Sequence, residues 1–425
     1  KNRLYNMKRG SRLFVLLSLV ALSACSNYAE SKGEDSPQTE TEISESTHDE
    51  QYGKTINISK SSYAYSEEGV YELRSLHPNS VNIVYTDFEK AQTLVLCGQP
   101  NCTHDSASCV SYIPIENGNL EPTIMCNNES LIIVKEGAGP TESPYVAVAD
   151  LNGSERHTIS TYKSNQFLRG DFLANSRYLY FIIQEVDENG VVSTSLETVD
   201  LQQESREELL ELPNKDKMYA LMGAYDSSLF LLEMSTSNPG GERTIYEIDP
   251  DNPSLNNVLL RYNAENEYIL IENPYLYIMR EKGNTVTRIE LRKFDDNEKT
   301  NTEKQETITY PFDKNAYKAL LEPSSDGNAF IYEYYQDGAF RKTYLDIEAG
   351  ETHEITLISE YSQEPMPILA THKNCFFVLY NRIETPLETS ERNSSGVTFE
   401  NQYALIPINS YIHGEQDFKF VSDDV

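Results

Sequence analysis

The sequence predicts an all-β chain folded as a β-propeller of about seven four-stranded blades. From about residue 55 onward, short runs rich in Tyr, Ile, Val, Leu and Phe alternate with clusters of Asn, Asp, Gly, Pro and Ser, which is typical of strands joined by turns. Two kinds of apolar run also recur in pairs, with middle spacings of about 46–54 residues, the length of a propeller blade. The 29 Tyr and 15 Phe among 425 residues are more aromatic groups than a disordered chain carries.

Residues 1–24 have the pattern of an export signal. Basic residues at positions 8, 9 and 12 precede an apolar run of about ten residues, and Ser23 and Ala24 stand directly before Cys25. The apolar run is too short to remain as a membrane-spanning helix. The sequence Leu22-Ser-Ala-Cys25 resembles the bacterial lipobox, which implies that residues 1–24 are removed and that Cys25 is lipidated with a diacylglycerol. The alternative is an ordinary signal peptide with a chance cysteine at its cleavage point.

Residues 25–54 are predicted to form an acidic, flexible tether. Eight acidic residues lie between positions 26 and 51, together with many Ser and Thr and only Tyr28, Ala29 and Ile43 as apolar groups. Such a segment buries too little surface to offset its ordering entropy, and its like charges extend it. We therefore expect a protein anchored by lipid to the extracytoplasmic side of the cell membrane, with its body held away from the bilayer.

Residues 55–425 carry the repeat and are predicted to form the propeller. One unit is an apolar run closed by Asp before a polar turn; its copies end at Asp87, Asp150, Asp200, Asp249, Leu291, Asp346 and Asn409, the fifth being degraded and the last having Asn in place of Asp. A more apolar unit precedes each copy, at residues 69–73, 131–134, 178–182, 229–232, 275–279, 330–332 and 375–379. We expect the apolar unit to be an inner strand and the Asp-ended unit to begin the outer hairpin of each blade.

The repeated Asp is interpreted as turn chemistry, not as a metal or catalytic group, because an Asp carboxylate readily bonds nearby backbone amides. The competing fold is a pair of β-sandwiches, which does not require seven similar units. Because one copy is degraded and the ends of the repeat are irregular, six or eight blades also fit the pattern.

A cluster of three cysteines and one histidine follows the strand at 93–96. Cys97, Cys102, His104 and Cys109 lie within thirteen residues, and three thiolates with one imidazole form a standard structural zinc set. A disulfide is the second interpretation, with Cys126 completing an even set in an oxidising compartment. Free thiols without a special role are the third. Cys375 lies inside an apolar run and is predicted to be a buried core thiol.

The segment 96–112 has the most specific resemblance to known proteins in this sequence. Its strand ending in Leu-Cys, followed by Pro-Asn-Cys-Thr-His-Asp and a further Cys, is similar to a signature of uncharacterised propeller-like lipoproteins from gut Firmicutes. The lipobox, the acidic tether and the blade-like repeats agree with that resemblance. It implies a propeller fold and a cell-surface location, and it carries over no catalytic residue.

The sequence favours a binding module over an enzyme. It contains no metalloprotease, nucleophile-elbow, phosphate-loop or dinucleotide motif. With 67 acidic against 35 basic residues and a net charge of −32, it excludes a nucleic-acid binder held by phosphate contacts. We expect a surface module that binds an extracellular glycan, peptide or protein. The alternative is a hydrolase or lyase that acts on an extracellular polysaccharide or peptide.

Overall fold

The computed structural model confirms the predicted all-β fold as a seven-bladed β-propeller. It describes residues 56–58, 62–115, 122–137, 143–213, 216–225, 227–272, 275–280, 285–291, 305–309, 317–323, 329–336, 338–346, 349–386 and 397–425. The predicted signal peptide at 1–24 and the tether at 25–54, including Cys25, lie outside the described residues.

Each blade is built on four antiparallel strands that follow one another along the chain. Blade 1 contains β2 (Tyr63–Tyr65), β3 (Gly69–Arg74), β4 (Ser80–Asp87) and β5 (Gln92–Val95), joined by β6 (Tyr112–Pro114) and by β31 (Ser422–Asp423). Blade 2 contains β7 (Thr123–Cys126), β8 (Ser130–Lys135), β9 (Tyr145–Asp150) and β10 (His157–Thr161). Blade 3 contains β11 (Gln166–Ala174), β12 (Tyr178–Val186), β13 (Val192–Asp200) and β14 (Ser205–Leu212), with β1 (Ile56–Ile58) added beside β11.

The remaining four blades repeat the same meander. Blade 4 contains β15 (Lys217–Tyr225), β16 (Ser228–Ser235), β17 (Glu242–Ile248) and β18 (Val258–Asn263). Blade 5 contains β19 (Glu267–Glu272), β20 (Tyr275–Arg280), β21 (Thr285–Glu290) and β22 (Gln305–Thr309). Blade 6 contains β23 (Tyr317–Pro323), β24 (Ala329–Gln336), β25 (Ala339–Asp346) and β26 (Glu351–Glu354). Blade 7 contains β27 (Ile368–His372), β28 (Cys375–Pro386), β29 (Val397–Pro407) and β30 (Lys419–Phe420), with the helix α1 (Ile408–His413) after β29.

The order of strands within a blade agrees with the predicted roles of the two repeated units. Each apolar unit is a second strand, and each Asp-ended unit is a third strand that leads into the exposed fourth strand, so the seven copies lie on seven blades. The first strands of neighbouring blades approach one another, as β11 and β15 do, and they surround the axis of the ring. These first strands were not recognised as a separate unit from the sequence.

Seven apolar clusters hold the ring together, and each is shared by two consecutive blades. Between blades 2 and 3, for example, Met125 and Ile132 pack with Phe172 and Phe181, and all four are fully buried. Burying one such side chain stabilises the fold by about 1.5–3 kcal/mol. The seventh cluster joins blade 7 to blade 1 and closes the ring.

One aromatic contact and one polar contact reinforce that closure. The ring of Phe88 lies 5.2 Å from that of Phe377, and the hydroxyls of Tyr63 and Tyr403 are 3.1 Å apart. The last strand, β31, pairs in parallel with β5 on the outer side of blade 1. The chain therefore ends on the blade with which the ring begins.

The Asp residues at the ends of the third strands form turns, as predicted. Asp200 Oδ1 accepts hydrogen bonds from the backbone N–H groups of Gln202 and Gln203 at 3.0 and 2.8 Å. Asp346 Oδ1 accepts one from the Ala349 N–H at 2.8 Å. Blade 7 departs from this pattern, because Asn409 lies within α1, which begins directly after Pro407 at the end of β29. Proline has no N–H for a strand ladder but fits the start of a helix.

The strand β1 defines where the chain enters the ring. Its residues Ile56 and Ile58 pair with Ala174 and Phe172, near the end of β11, whereas β11 begins at Gln166. The chain therefore reaches β1 from the end of blade 3 opposite Gln166. Within the described ranges, α1 is the only helix, and nothing there is long and apolar enough to cross a membrane as a helix.

Candidate metal centre and binding cleft

The cysteine–histidine motif lies in an insertion that divides the outer strand of blade 1. The second half of β4 pairs with β5, and its first half pairs with β6, so residues 96–111 interrupt one edge strand; we call them the blade 1 insertion. Both ends of the insertion meet at Ile83. The Ile83 N–H donates to Ser111 O at 3.0 Å, and the Ile83 carbonyl accepts from the Leu96 N–H at 2.9 Å.

The four predicted ligand side chains converge within this insertion. The ligand atoms of Cys97, Cys102, His104 and Cys109 all lie within 4.8 Å of one another. His104 Nδ1 is 3.3 Å from Cys109 Sγ. His104 has a left-handed backbone with a φ of 57°, a conformation that reverses the chain direction between Cys102 and Cys109. The short Cys-x-His step is thus accommodated by a turn, and the four side chains can hold a metal ion.

Two thiols of the cluster differ in their pKa. Burial alone would raise the pKa of Cys109, but hydrogen bonds with Ser111 Oγ and His104 outweigh burial and lower it to about 6. Burial raises the pKa of Cys97 to about 11, and its thiol neighbours add to that shift. Cys109 is therefore better prepared than Cys97 to be a thiolate before a cation binds.

Residues outside the motif hold the cluster in place. Asn82, fully buried on β4, donates from Nδ2 to His104 O at 2.9 Å and to Ser111 Oγ at 3.1 Å. Leu96 belongs to the apolar cluster between blades 1 and 2. A Cβ at Gly153, in the β9–β10 turn, would lie 3.0 Å from the Leu96 side chain. The insertion is thereby fixed to the junction between two blades.

The remaining cysteines do not join this cluster. All five cysteines in the described part of the chain are free thiols in this structure. Cys126 is buried in the apolar cluster between blades 1 and 2. Cys375, predicted to be a buried core thiol, is only half-buried, because it stands at the first position of β28 at the edge of the blade 7–blade 1 core.

A second polar site lies on the face of blade 3 that packs against blade 2. It is a cleft of about 360 Å³, which we call the blade 3 cleft. Its floor is buried and consists of Gln166, Ile183, Ser195 and Glu197. Its rim is exposed or half-buried and consists of Lys163, Glu185, Ser193, Arg206 and Glu208.

Glu197 is the unusual group of this cleft. Its side chain belongs to a residue that is only 8% exposed, and its Oε2 has no hydrogen-bond partner among the described residues. Burial raises the pKa of Glu197 to about 7, Arg206 opposes that rise, and Glu208 and Glu185 add to it. A carboxyl group that is buried and unpaired normally costs stability, so it requires an explanation.

Three of the four other charged groups of the cleft have partners. Glu185 accepts a hydrogen bond from Gln166 Nε2 at 2.8 Å and lies 3.6 Å from Lys163 Nζ. The guanidinium of Arg206 stacks over the ring of Tyr162 at 4.8 Å. Glu197 is thus the group in the floor of the cleft that is left with an unsatisfied oxygen.

Among the histidines that the structure describes, only His104 belongs to either site. His157 and His353 lie on fourth strands, β10 and β26. His372 ends β27, and its Nδ1 bonds to Glu67 O at 2.7 Å across the junction of blades 7 and 1.

No family model matches the chain, and no curated protein matches it by sequence. Among solved structures, the chain is similar to an acylaminoacyl peptidase in complex with Z-Gly-Gly-Phe-chloromethyl ketone, with 12% identity and a TM-score of 0.50 over 87% of this chain and 52% of that one. It therefore spans about half of that peptidase. It is also similar to oligogalacturonate lyase from Vibrio parahaemolyticus, with 12% identity and a TM-score of 0.48 over 76% of this chain and 87% of that one. At such identities, the peptidase likeness shows the fold alone.

Proposed function

We propose that this chain is a lipid-anchored extracytoplasmic binding protein whose propeller takes its ligand in the blade 3 cleft. The observation that supports this proposal is the open cleft of about 360 Å³, whose lining consists mainly of polar side chains and includes the largely buried Glu197. Ligand sites are typically clefts of roughly 300–1,000 Å³ that present a few polar groups to the ligand. The ligand is an extracellular glycan, peptide or protein segment, and not a nucleic acid.

The anchor in this proposal is a diacylglycerol on Cys25 after removal of residues 1–24, with residues 25–54 as the tether. The direction of β1 supports an orientation. Ile56 lies beside Ala174, at the end of β11 opposite Gln166 in the cleft floor. The cleft would then open on the side of the ring that faces away from the membrane. Mass spectrometry of the native N-terminus tests the anchor, and an unmodified Cys25 or an intact signal would disprove it.

The cluster in the blade 1 insertion is proposed as a structural zinc site. Three thiolates and one imidazole fill the tetrahedral coordination that zinc prefers and leave no position for a substrate water. Such a site would carry a net negative charge. Arg156, which donates to Tyr112 O at 2.7 Å and whose pKa is lowered by burial but supported by Tyr145 and Cys109, would offset that charge.

A hydrolase or lyase remains the second candidate function, because one observation favours it. A carboxyl group whose pKa is about 7, as that of Glu197 is, suits a proton donor at neutral pH. In this scheme Glu197 would protonate a leaving group of a bound glycan or peptide. Cleavage of an extracellular polymer that is abolished in Glu197→Gln would establish this function in place of simple binding.

The binding proposal is tested on the full chain with glycan and peptide arrays. The cleft variant is Glu197→Gln, which keeps the size of the side chain and removes its charge. The matched control is Glu207→Gln, an exposed residue of β14 that does not line the cleft. We expect saturable binding without turnover that is weakened by the first change and retained after the second. Binding that is equal in both variants would contradict the proposal.

A further inference from the structure

The cluster in the blade 1 insertion contains three thiols that lie close enough to react with one another. The ligand atoms of its four residues are all within 4.8 Å of one another, and the thiol of Cys97 neighbours those of Cys102 and Cys109. The S–S bond of a disulfide is about 2.05 Å long. A change of side-chain rotamer can therefore bring two of these sulfur atoms to bonding distance.

The three thiols differ in their access to solvent. Cys97 and Cys102 are half-buried, whereas Cys109 is only 1% exposed. The sulfur of Cys109 also has two polar neighbours, because it lies 3.1 Å from Ser111 Oγ and 3.3 Å from His104 Nδ1. Oxidation of cysteine follows the exposure of the thiol. Cys97 and Cys102 are therefore the pair that an oxidant in solvent reaches first.

Cys97 and Cys102 lie at the two ends of a short turn. Within it, the Cys102 N–H donates to Gln99 O at 3.4 Å. The backbone bonds that attach both ends of the insertion to Ile83 lie outside this turn. A bond between the two sulfur atoms can therefore form without separating the insertion from blade 1.

The proposed location of the chain makes oxidation of these thiols relevant. Outside the cytoplasm, proteins meet oxidising conditions under which disulfides form and persist. Zinc coordination uses all three thiols of the cluster, whereas a disulfide between two of them removes two of its four ligands. The metal and the disulfide are thus alternative states of the same cluster.

We infer that the cluster is a redox-dependent metal site, which holds zinc when its thiols are reduced and loses zinc when Cys97 and Cys102 form a disulfide. This inference rests on the zinc site proposed above and is independent of the blade 3 cleft. Oxidation would change the exposed part of the insertion and leave the strands of the blades unchanged.

The oxidant in this scheme is a peroxide. One thiolate attacks a peroxide oxygen, which breaks the O–O bond, gives a sulfenic acid and releases hydroxide. The second thiolate attacks the sulfenic sulfur, which forms the S–S bond and releases a second hydroxide. The two sulfur atoms are oxidised by one electron each, and the two peroxide oxygens are reduced by one electron each. Solvent protonates both hydroxides to water, and Zn²⁺ leaves with its charge unchanged.

Peptide mass spectrometry of the full chain tests the inference. The chain is freed of metal with a chelator, treated with hydrogen peroxide, unfolded, alkylated and cleaved before aspartate, which separates residues 87–104 from residues 105–149. The cysteines of the first fragment are Cys97 and Cys102, and those of the second are Cys109 and Cys126. We expect the first fragment to lose two hydrogens and take up no alkyl group, and the second to be alkylated at both cysteines.

Zinc affinity is the second measurement. The oxidised chain should bind zinc at least about a thousandfold more weakly than the reduced chain, because two of four ligands are lost. Competition with a chromophoric chelator measures this difference, and a dithiol reductant should abolish it. Excess zinc during the peroxide treatment should protect the first fragment, since zinc binding favours the reduced state.

Three variants separate the reacting pair from the other thiols. Cys109→Ser removes a metal ligand but should keep the disulfide in the first fragment, whereas Cys102→Ser should abolish it. Cys375→Ser changes a thiol outside the cluster and should follow the parent in both measurements. A disulfide that links the two fragments would identify a different pair and would overturn the inference.

The remaining outcomes separate this inference from the zinc site on which it rests. Zinc binding by the reduced chain, with no disulfide after peroxide treatment, would overturn the inference and keep the zinc site. A disulfide in the first fragment that leaves zinc affinity unchanged would place the metal elsewhere and would overturn both. A reduced chain that binds no zinc would also overturn both.

Discussion

Blade 2 lies between two polar sites that differ in how their side chains are arranged. In the blade 1 insertion on one side, the side chains point at one another, and four potential ligand atoms lie within 4.8 Å. In the blade 3 cleft on the other side, the side chains surround an open volume, and Glu197 is largely buried in its floor. Polar groups that converge are suited to hold a metal and fix the fold, whereas groups that surround an open volume are suited to bind a ligand.

The ionisation of the two sites shows the same contrast. At Cys109, hydrogen bonds with Ser111 and His104 overcome burial and lower the pKa to about 6. At Glu197, burial prevails over Arg206 and the pKa rises to about 7. The first site therefore favours the charged form of its thiol, whereas the second favours the neutral form of its carboxyl group.

The largest expected effect is the loss of a metal ligand from the insertion. We expect Cys102→Ser to weaken zinc binding about a thousandfold, roughly 4 kcal/mol, because one of four bonds in a site worth about 10–16 kcal/mol is removed. Zinc content after purification without chelator, together with hydrogen exchange of residues 96–111, measures this. Cys375→Ser, a half-buried thiol outside the cluster, is the control. Equal zinc in both variants would contradict a metal site in the insertion.

The next effect is on stability at the cleft. The pKa of Glu197 is raised in the folded chain, so the folded state holds a proton that the unfolded state has released between about pH 4.5 and pH 7. Stability should fall as the pH rises through that window, by about 3 kcal/mol. Glu197→Gln removes this loss, and thermal unfolding should show it to be more stable than the parent at pH 8 and similar at pH 4. Glu207→Gln should follow the parent at both values; a destabilised Glu197→Gln at pH 8 would refute the account.

A smaller effect is expected from the groups that support the metal cluster without belonging to it. Ser111→Ala removes the hydroxyl that lies 3.1 Å from Cys109 Sγ. We expect zinc affinity to fall about tenfold, about 1.4 kcal/mol, since neighbours that orient and polarise ligands contribute on this scale. Competition with a chromophoric chelator measures the change. Ser106→Ala, whose hydroxyl bonds to Ser108, is the control, and an equal loss in both would contradict a specific role for Ser111.

The smallest effect is expected at the rim of the cleft. Lys163 is 71% exposed, and its ion pair with Glu185 is open to solvent. Lys163→Met should change the free energy of unfolding by less than about 0.5 kcal/mol, as exposed ion pairs usually do. Denaturant unfolding checks this value. A loss of several kcal/mol in the free energy of unfolding would show that the side chains of the rim, and not only those of the floor, stabilise the fold.

The repeat made the fold predictable, because second and third strands are buried in every blade and their apolar residues recur with turn-forming Asp. The first strands were not recognised in the sequence because they vary more from blade to blade than the second and third strands do. Lys217–Tyr225 and Ile368–His372, for example, share little beyond an alternation of apolar and polar residues. The cysteine motif was predictable for a different reason. Its ligands are close in sequence, so a local turn at His104 suffices to bring them together.

The cleft was not predicted, although a signal was present. Three residues before the end of the third-strand unit, five blades have the uncharged residues Val84, Ala147, Tyr246, Thr343 and Ile406, whereas blade 3 has Glu197 and the degraded copy in blade 5 has Arg288. Charged residues at this position are exceptions to the repeat that alignment of the copies can find. The sequence does not show which residues surround Glu197, because Lys163 and Arg206 come to lie at the cleft only when the strands pair.

The central claim is that Glu197 is a carboxyl group whose burial in the floor of the blade 3 cleft raises its pKa. Carboxyl-selective NMR of the ¹³C-glutamate-labelled chain tests it directly, with Glu197→Gln assigning the signal. The account predicts a glutamate that titrates near pH 7. A Glu197 that titrates in the ordinary range of a glutamate would contradict it.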